Sequence, residues 1–147
     1  MKVALGADHA GFELKEIIKK YLGQRGIELD DHGTDSTNPV DYPDFAKLVG
    51  EQVALGKADF GILVCGAGIG MSMAANKIPG IRAANVHSEI GAQLSREHNN
   101  ANVLALGGRL LDAKLALQIV DRWLSTEFAG SRHQRRVDKV MEIECAK

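Results

Sequence analysis

Short apolar runs alternate with longer amphipathic segments along the chain. Nearly continuous apolar runs of about four to six residues are typical of strands that are covered on both faces in a parallel sheet. Segments with apolar residues three or four positions apart are typical of helices that pack one face on such a sheet. The pattern predicts strands at 3–6, 27–31, 60–65, 81–86 and 103–106. It predicts helices at 12–22, 45–55, 71–77, 90–98, 113–124 and 132–143, with loops at 39–43 and 66–70.

This alternation of strands and helices predicts an α/β fold. Repeated β-α units build an open sheet, so we expect a Rossmann-like three-layer sandwich with a mostly five-stranded parallel sheet and helices on both faces. No internal repeat, low-complexity tract or composition break divides the 147 residues, and a single domain over 1–147 is expected. Ligands of such folds bind beyond the carboxyl ends of the strands. The residues that directly follow each strand are therefore the candidates for a functional site.

The composition is typical of a soluble globular protein, since 45% of the residues are hydrophobic and 25% are charged. Eighteen basic and nineteen acidic residues leave a net charge of −1, so no overall field attracts nucleic acid or anionic lipid. No run approaches the roughly 20 apolar residues of a membrane span, and the N-terminus turns polar before a signal-peptide core is complete. Cys65 and Cys145 form no metal or redox motif, which favours a reducing compartment, so a cytoplasmic protein is expected.

The first candidate cluster is the stretch 6–11, which follows the first strand. Asp8 could bind a hydroxyl group and His9 a phosphate, because helix N-termini favour anions. The two glycines of this stretch have P-loop spacing, but Phe and Glu follow where that motif requires Lys and then Ser or Thr, so that interpretation fails. The alternative is that Asp8 caps the helix and His9 is an ordinary surface residue.

The second cluster follows the third strand, where Cys65 precedes the glycine-rich loop Gly66, Ala67, Gly68, Ile69 and Gly70. Glycines let the backbone approach a ligand closely and direct several N–H groups at one oxyanion. A cysteine beside a helix N-terminus is favoured as the thiolate, which could remove a proton next to a sugar carbonyl. Met71 excludes both a dinucleotide-binding fingerprint and a C-x₅-R phosphatase loop. A buried structural cysteine before a tight turn remains the alternative.

Polar side chains around the last predicted strand form a third cluster. His98 could exchange a proton near neutral pH, and Asn99 could hydrogen-bond a sugar hydroxyl. A histidine at a helix end is also a favourable partner of the helix dipole, and that simpler role stays open. Beyond the strand, Arg109 follows two glycines and has room to reach an anion.

Positive charge is concentrated at the start of the last predicted helix. Arg132 and Arg136 are four residues apart and share one face, so their guanidinium groups could grip a phosphate monoester together. A solvated basic face is the alternative. An RNA-binding surface is disfavoured because no aromatic stacking residues lie nearby.

In this order, the clusters resemble the family of type B ribose-5-phosphate isomerases and the related galactose-6-phosphate isomerase subunits. The matching segments are Gly6–Phe12, Asp41–Asp44, the Cys65 loop, His98-Asn99 and Arg132-His133. The resemblance implies interconversion of D-ribose 5-phosphate and D-ribulose 5-phosphate through an enediol, a step of the pentose phosphate pathway, without metal or cofactor. An isomerase of a six-carbon sugar phosphate and a non-catalytic sugar-phosphate-binding protein remain the alternatives.

The resemblance also implies a role for each candidate residue. Cys65 would be the base that moves the proton and His98 the acid that opens the sugar ring, while the loop from Gly66 to Gly70 would surround the oxyanion. The remaining candidates would contact the sugar or its phosphate: Asp8, His9, Asn99, Arg109, Arg132 and Arg136. Ala67 departs from the family, which commonly has Thr there, so ring opening would use His98, water or another group. The expected assembly is a homodimer or a tetramer with shared active sites, in which helix 132–143 packs on the partner subunit.

Overall fold

The computed structural model describes residues 1–145, and positions 146 and 147 of the predicted domain lie outside the described residues. Its elements are β1 (Lys2–Ala7), α1 (Phe12–Gln24), β2 (Glu28–Asp31), α2 (Tyr42–Ala54), β3 (Phe60–Cys65), α3 (Ile69–Ala75), β4 (Ala83–Asn85), α4 (Glu89–Glu97), β5 (Val103–Gly107), α5 (Ala113–Ser125) and α6 (Arg132–Cys145). The strands form one five-stranded sheet in the order β2-β1-β3-β5-β4, and every pair is parallel. The predicted α/β fold is therefore confirmed.

The three central strands are buried on both faces, which explains their nearly continuous apolar sequence. Helices α1, α4 and α5 cover one face of the sheet, around the fully buried Trp123. Helices α2 and α3 cover the other face, where Leu63 and Cys65 of β3 point. The alternation of side chains along β3 thus places Cys65 on the side of the sheet from which α3 starts.

Several predicted boundaries differ from the structure, and three of these differences have a clear local reason. Helix α2 begins at Tyr42, because Pro43 occupies its first turn, where a missing N–H costs nothing. Helix α3 begins at Ile69 rather than 71, so Ile69 and Gly70 lie in its first turn instead of a loop. Strand β4 is shorter than the predicted 81–86, because the N–H of Arg82 binds the side chain of Asn102 instead of a neighbouring strand.

The order of the strands creates a crevice between the carboxyl ends of β1 and β3. The chain leaves β1 toward β2 on one side and later returns to form β3 on the other side. The connections that follow β1 and β3 therefore run on opposite faces of the sheet and leave a gap between the two strand ends. Ligands of doubly wound sheets bind at this point. A hydrogen bond from Asp8 N to Val64 O (3.2 Å) joins the two loops across the crevice.

Helix α6 packs along the β4 edge of its own sheet. Its Glu144 carboxylate accepts hydrogen bonds from Gly80 N at 3.0 and 3.1 Å, and Met141 Sδ lies 3.3 Å from the guanidinium of Arg82. The predicted packing of this helix on a partner subunit stays a prediction. In the described part of the chain, every helix is too short or too polar to cross a lipid bilayer.

Candidate active site

The carboxylate of Asp8 is fixed by the backbone at the start of α1. Its Oδ1 accepts hydrogen bonds from Ala10 N (2.9 Å) and Gly11 N (3.0 Å), and the residue is buried. A Cβ atom at Gly11 would collide with the carbonyl of Val64, so only glycine lets α1 begin this close to β3. Asp8 therefore closes the turn before the helix, at the edge of the crevice, while Gly11 is the residue that caps α1.

His9 is not a free surface residue. Its Nδ1 accepts a hydrogen bond from Val40 N (3.1 Å), and the side chain is half-buried. An Nδ1 that accepts carries no proton, so the neutral ring holds its hydrogen on Nε2. The loop before α2 thus orients His9 as a hydrogen-bond donor.

Cys65 ends β3 directly below the N-terminus of α3. Its Sγ accepts a hydrogen bond from Gly68 N (3.1 Å), and 6% of the residue is exposed. Gly68 has a left-handed backbone with φ +78°, which turns its N–H back toward the sulfur. The sulfur therefore faces a backbone N–H donor of the loop. The sulfur borders the apolar cluster under α2 and α3 but meets a polar group of the loop.

Arg109 lies against the Cys65 loop. Cys65 pairs with Gly107 in the sheet, and Gly108 N donates to Cys65 O at 2.7 Å. Arg109 N then donates to Gly66 O at 3.0 Å, and its Nη1 would be 3.3 Å from a Cβ atom on Gly66. The structure therefore brings the guanidinium beside the loop of the same chain.

Two residues next to the loop were not singled out from the sequence. The ring of Tyr42 covers Gly70, where a Cβ atom would lie 2.8 Å from the ring, and 40% of Tyr42 is exposed. The buried Oδ1 of Asn85 has no hydrogen-bond partner among the described residues and lies under Gly68. Asn85 lay inside the predicted strand 81–86 rather than after it, so it was not among the candidates that follow strands. Tyr42 lies in the segment 41–44 that resembles the family, but it does not follow a strand.

A second group of candidates lies together elsewhere on the same chain. His98 follows α4, and its ring stacks on that of His133 with centroids 4.2 Å apart. Asn99 and Arg136 line one cavity of about 700 Å³ between α6 and the β4 edge. Arg132 begins α6. His133, which was not a candidate, lies in the same helix as Arg132 and Arg136. Its contact with His98 places the predicted acid next to the helix that carries the predicted phosphate-binding arginines.

The two groups lie at opposite ends of the sheet. Helix α4 returns to the amino end of β5, where Asn102 O accepts a hydrogen bond from Gly61 N near the start of β3 (3.0 Å). Cys65 lies four residues further along that strand, and four residues of a strand span about 13 Å. Within one chain, His98 therefore does not reach a ligand held at Cys65.

Among residues 1–145, no group of three or more His, Cys, Asp or Glu side chains is arranged to hold a metal ion. Both cysteines are free thiols. The chemistry that this arrangement can perform is proton transfer beside an anion-binding backbone.

Comparison with known proteins assigns the family. The model of the Ribose/Galactose Isomerase family matches residues 3–140. The chain belongs to this family. Ribose-5-phosphate isomerase B of Escherichia coli, a relative, is 50% identical over 143 residues, which cover 97% of this chain and 96% of that protein.

Solved structures agree with this family assignment. Ribose-5-phosphate isomerase B of Clostridium thermocellum has a TM-score of 0.98 and 52% identity, covering 99% of this chain and 98% of the other. The Mycoplasma genitalium ribose-5-phosphate isomerase B, solved with bound ribulose-5-phosphate, has a TM-score of 0.96 and 42% identity, covering 99% and 97%. The resemblance inferred from the sequence motifs is thereby confirmed.

Proposed function

We propose that the protein is an aldose–ketose isomerase that interconverts D-ribose 5-phosphate and D-ribulose 5-phosphate through an enediol. The observation that carries this proposal is the Cys65 sulfur beneath a loop of backbone amides at the sheet crevice. Family membership and the ribulose-5-phosphate complex of the Mycoplasma relative support the substrate.

Cys65 is the base in this proposal. Its thiolate removes the proton from C2 of the open-chain aldose, and the electron pair forms the C1–C2 double bond while the carbonyl oxygen becomes negative. A proton passes from the C2 hydroxyl to the C1 oxygen, and the thiol returns a proton to C1, which leaves a ketone at C2 and a hydroxyl at C1. The hydrogen moves within one molecule, so the reaction needs no external oxidant or reductant.

Backbone amides of the loop from Gly66 to Gly70 stabilise the developing oxyanion. Donors fixed before the reaction need no reorganisation, which is why removal of one such donor costs about 10²-fold to 10³-fold in rate in other enzymes. His9 and Arg109 both follow the carboxyl end of a strand, and in this proposal the Nε2–H of His9 and the guanidinium of Arg109 bind anionic or hydroxyl groups of the sugar phosphate. Asp8 fixes the turn that leads into α1 and contains His9.

The remaining candidates come from a second chain in this proposal. His98 and Asn99 lie at the opposite end of the sheet from Cys65, together with Arg132 and Arg136. A homodimer, alone or as half of a tetramer, can place this end of one chain against the crevice of the other. The second chain then supplies the acid that opens the sugar ring and two guanidinium groups for the phosphate, with α6 packing against the partner.

The test is turnover of ribose 5-phosphate by the purified protein and by Cys65→Ala. Loss of the base removes turnover, while binding of ribulose 5-phosphate persists because the phosphate contacts remain. Cys145→Ala is the matched control, since its exposed thiol lies at the end of α6, and it keeps wild-type turnover. Wild-type turnover by Cys65→Ala would refute the assigned base.

A six-carbon sugar phosphate is the second candidate substrate, because the family description includes galactose isomerases. One additional carbon lengthens a bound sugar phosphate only slightly. Comparison of kcat/KM for ribose 5-phosphate with that for galactose 6-phosphate and allose 6-phosphate decides between them. The same comparison on Ala67→Thr tests whether the missing hydroxyl limits ring opening.

A further inference from the structure

The stacked rings of His98 and His133 form a rigid pair. Their planes are inclined by 11° and their centroids are 4.2 Å apart. His133 lies in the first turn of α6 and is buried, with 8% exposed. Ala129 N donates a hydrogen bond to Glu97 O (3.1 Å), so the segment before α6 is attached to the end of α4. The backbone on both sides of the stack is therefore fixed.

Positive groups surround this pair. Burial first, and then the charges of His98, Arg132 and Arg136, lower the pKa of His133 below its ordinary value of 6.5, against an opposing effect of Glu97. His133 is therefore mostly neutral at pH 7. A neutral flat ring packs on the ring of His98 without adding a further positive charge to this cluster.

We propose that His133 is a positioning residue for His98, whose ring it holds in the orientation from which His98 delivers a proton to the ring oxygen of the sugar. This inference rests on the acid role proposed for His98. Stacking occupies one face of the His98 imidazole and restricts rotation of the ring, while the two nitrogens at its edge stay available. A proton donor is effective only when it is held in the productive geometry, so loss of the stack impairs ring opening.

Two substitutions at His133 separate positioning from charge. His133→Ala removes the stacked ring and lowers kcat for ribose 5-phosphate by about 10-fold to 100-fold, with little change in KM, because Arg132 and Arg136 still bind the phosphate. His133→Phe keeps a flat ring of similar size without a titrating group and restores most of kcat. A wild-type kcat in His133→Ala, or an equal loss in both variants, would overturn the proposal.

A second measurement distinguishes positioning of the acid from general damage to the site. Ribulose 5-phosphate is an open chain, because the hydroxyl that would close a five-membered ring is esterified. Exchange of its C1 hydrogen in deuterated water therefore requires the base and the oxyanion loop but no ring opening. We expect His133→Ala to keep wild-type exchange. If exchange falls as far as turnover, His133 has a structural role and the proposal is wrong.

Turnover by His98→Asn tests the acid role of His98 separately from the positioning role of His133. If His98→Asn retains wild-type turnover, the acid role fails and the positioning role fails with it. If His98→Asn loses turnover but His133→Ala does not, the positioning role alone is wrong. Loss of ribose 5-phosphate turnover in both, with exchange from ribulose 5-phosphate retained, is the expected result.

Discussion

Two glycines with a left-handed backbone, Gly56 and Gly68, have very different surroundings. Gly56 has φ +68°, and a Cβ atom there would meet nothing within 4 Å. Gly68 has φ +78°, and a Cβ atom there would lie 2.5 Å from Asn85 Oδ1 and 3.0 Å from the backbone of Leu106. At the second position, a strained conformation and a close approach therefore coincide, directly beside the Cys65 sulfur.

We expect Gly68→Ala to lower both stability and activity. A non-glycine residue in this conformation costs about 1–3 kcal/mol, and the contact with Asn85 adds to that cost by displacing the loop. Because the Gly68 N–H binds the sulfur, kcat falls as well. The control Gly56→Ala carries the backbone strain alone, so its free energy of unfolding falls less and its kcat is unchanged. Denaturant unfolding and turnover of both variants measure the difference, and equal effects at both sites would contradict this account.

At the residue scale, the sequence located the candidate residues that follow strands. Cys65, Asp8 and Arg109 could be found because the carboxyl ends of parallel strands meet at one edge. Tyr42 and Asn85 could not, since their approach to the loop depends on how α2 and β4 pack on the sheet. The partnership of His98 with His133 joins residues that no local pattern relates.

At the scale of elements, a buried lysine ties α1 to β2. Lys15 is 1% exposed, and its Nζ lies 2.8 Å from Asp31 Oδ1 and from Glu16 Oε1. Lys19 also binds Asp31, at 2.6 Å. The amphipathic pattern predicted a helix at 12–22, where α1 runs from Phe12 to Gln24, but it gave no reason to place a charged residue on the buried face. The ammonium group of Lys15 can be buried because Asp31, the last residue of β2, places its carboxylate 2.8 Å from Lys15 Nζ.

This ion pair predicts how stability depends on pH. Burial raises the pKa of Asp31, but hydrogen bonds from Lys15, Lys19 and Gly33 outweigh burial and leave the pKa below its ordinary value of 3.8. A depressed carboxyl pKa contributes stability above the unfolded pKa, and that contribution is lost as pH falls through the folded pKa. The ionised Asp31 therefore stabilises the protein at neutral pH but not in strong acid.

We expect Asp31→Asn to lower the free energy of unfolding at pH 7 by about 3 kcal/mol, because it leaves the buried ammonium short of a partner. The difference from wild type should shrink as pH falls below 3.8. Glu28→Gln, in the same strand, removes an exposed ion pair with Lys2 and should cost less than about 1 kcal/mol. Denaturant titrations at several pH values provide the test. A difference between wild type and Asp31→Asn that does not vary with pH would exclude Asp31 as the titrating group.

At the scale of the whole molecule, the strand order fixes which candidates can meet. Periodicity predicted the strands and their parallel arrangement, but the order β2-β1-β3-β5-β4 is decided by long-range packing that no local pattern records. The parallel direction of β3 and β5 places Cys65 at the carboxyl end of the sheet and His98, which precedes β5, at the amino end. A site made of both residues requires two chains, as the family resemblance implied.

Mixed dimers test this arrangement. Cys65→Ala and His98→Asn each lower turnover alone, because each variant lacks one residue at every site. When the two variants are co-expressed, a mixed dimer contains one intact site, so random pairing restores about a quarter of wild-type activity. The control is co-expression of Cys65→Ala with the variant that carries both Cys65→Ala and His98→Asn. No intact site can form in that mixture, because every chain lacks Cys65. Absence of any recovery in the first mixture would place both residues on one chain.

The separation of the proposed base from the proposed acid within one chain also bears on how such proteins diverge. After gene duplication, one copy could lose the cysteine and the other the histidine, and the pair would still form a complete site whenever the two copies associate. Each copy alone would then be inert. When the candidate catalytic residues lie at both ends of the sheet, an enzyme that needs two different chains can therefore arise by loss of residues alone. No new contact between the chains is required.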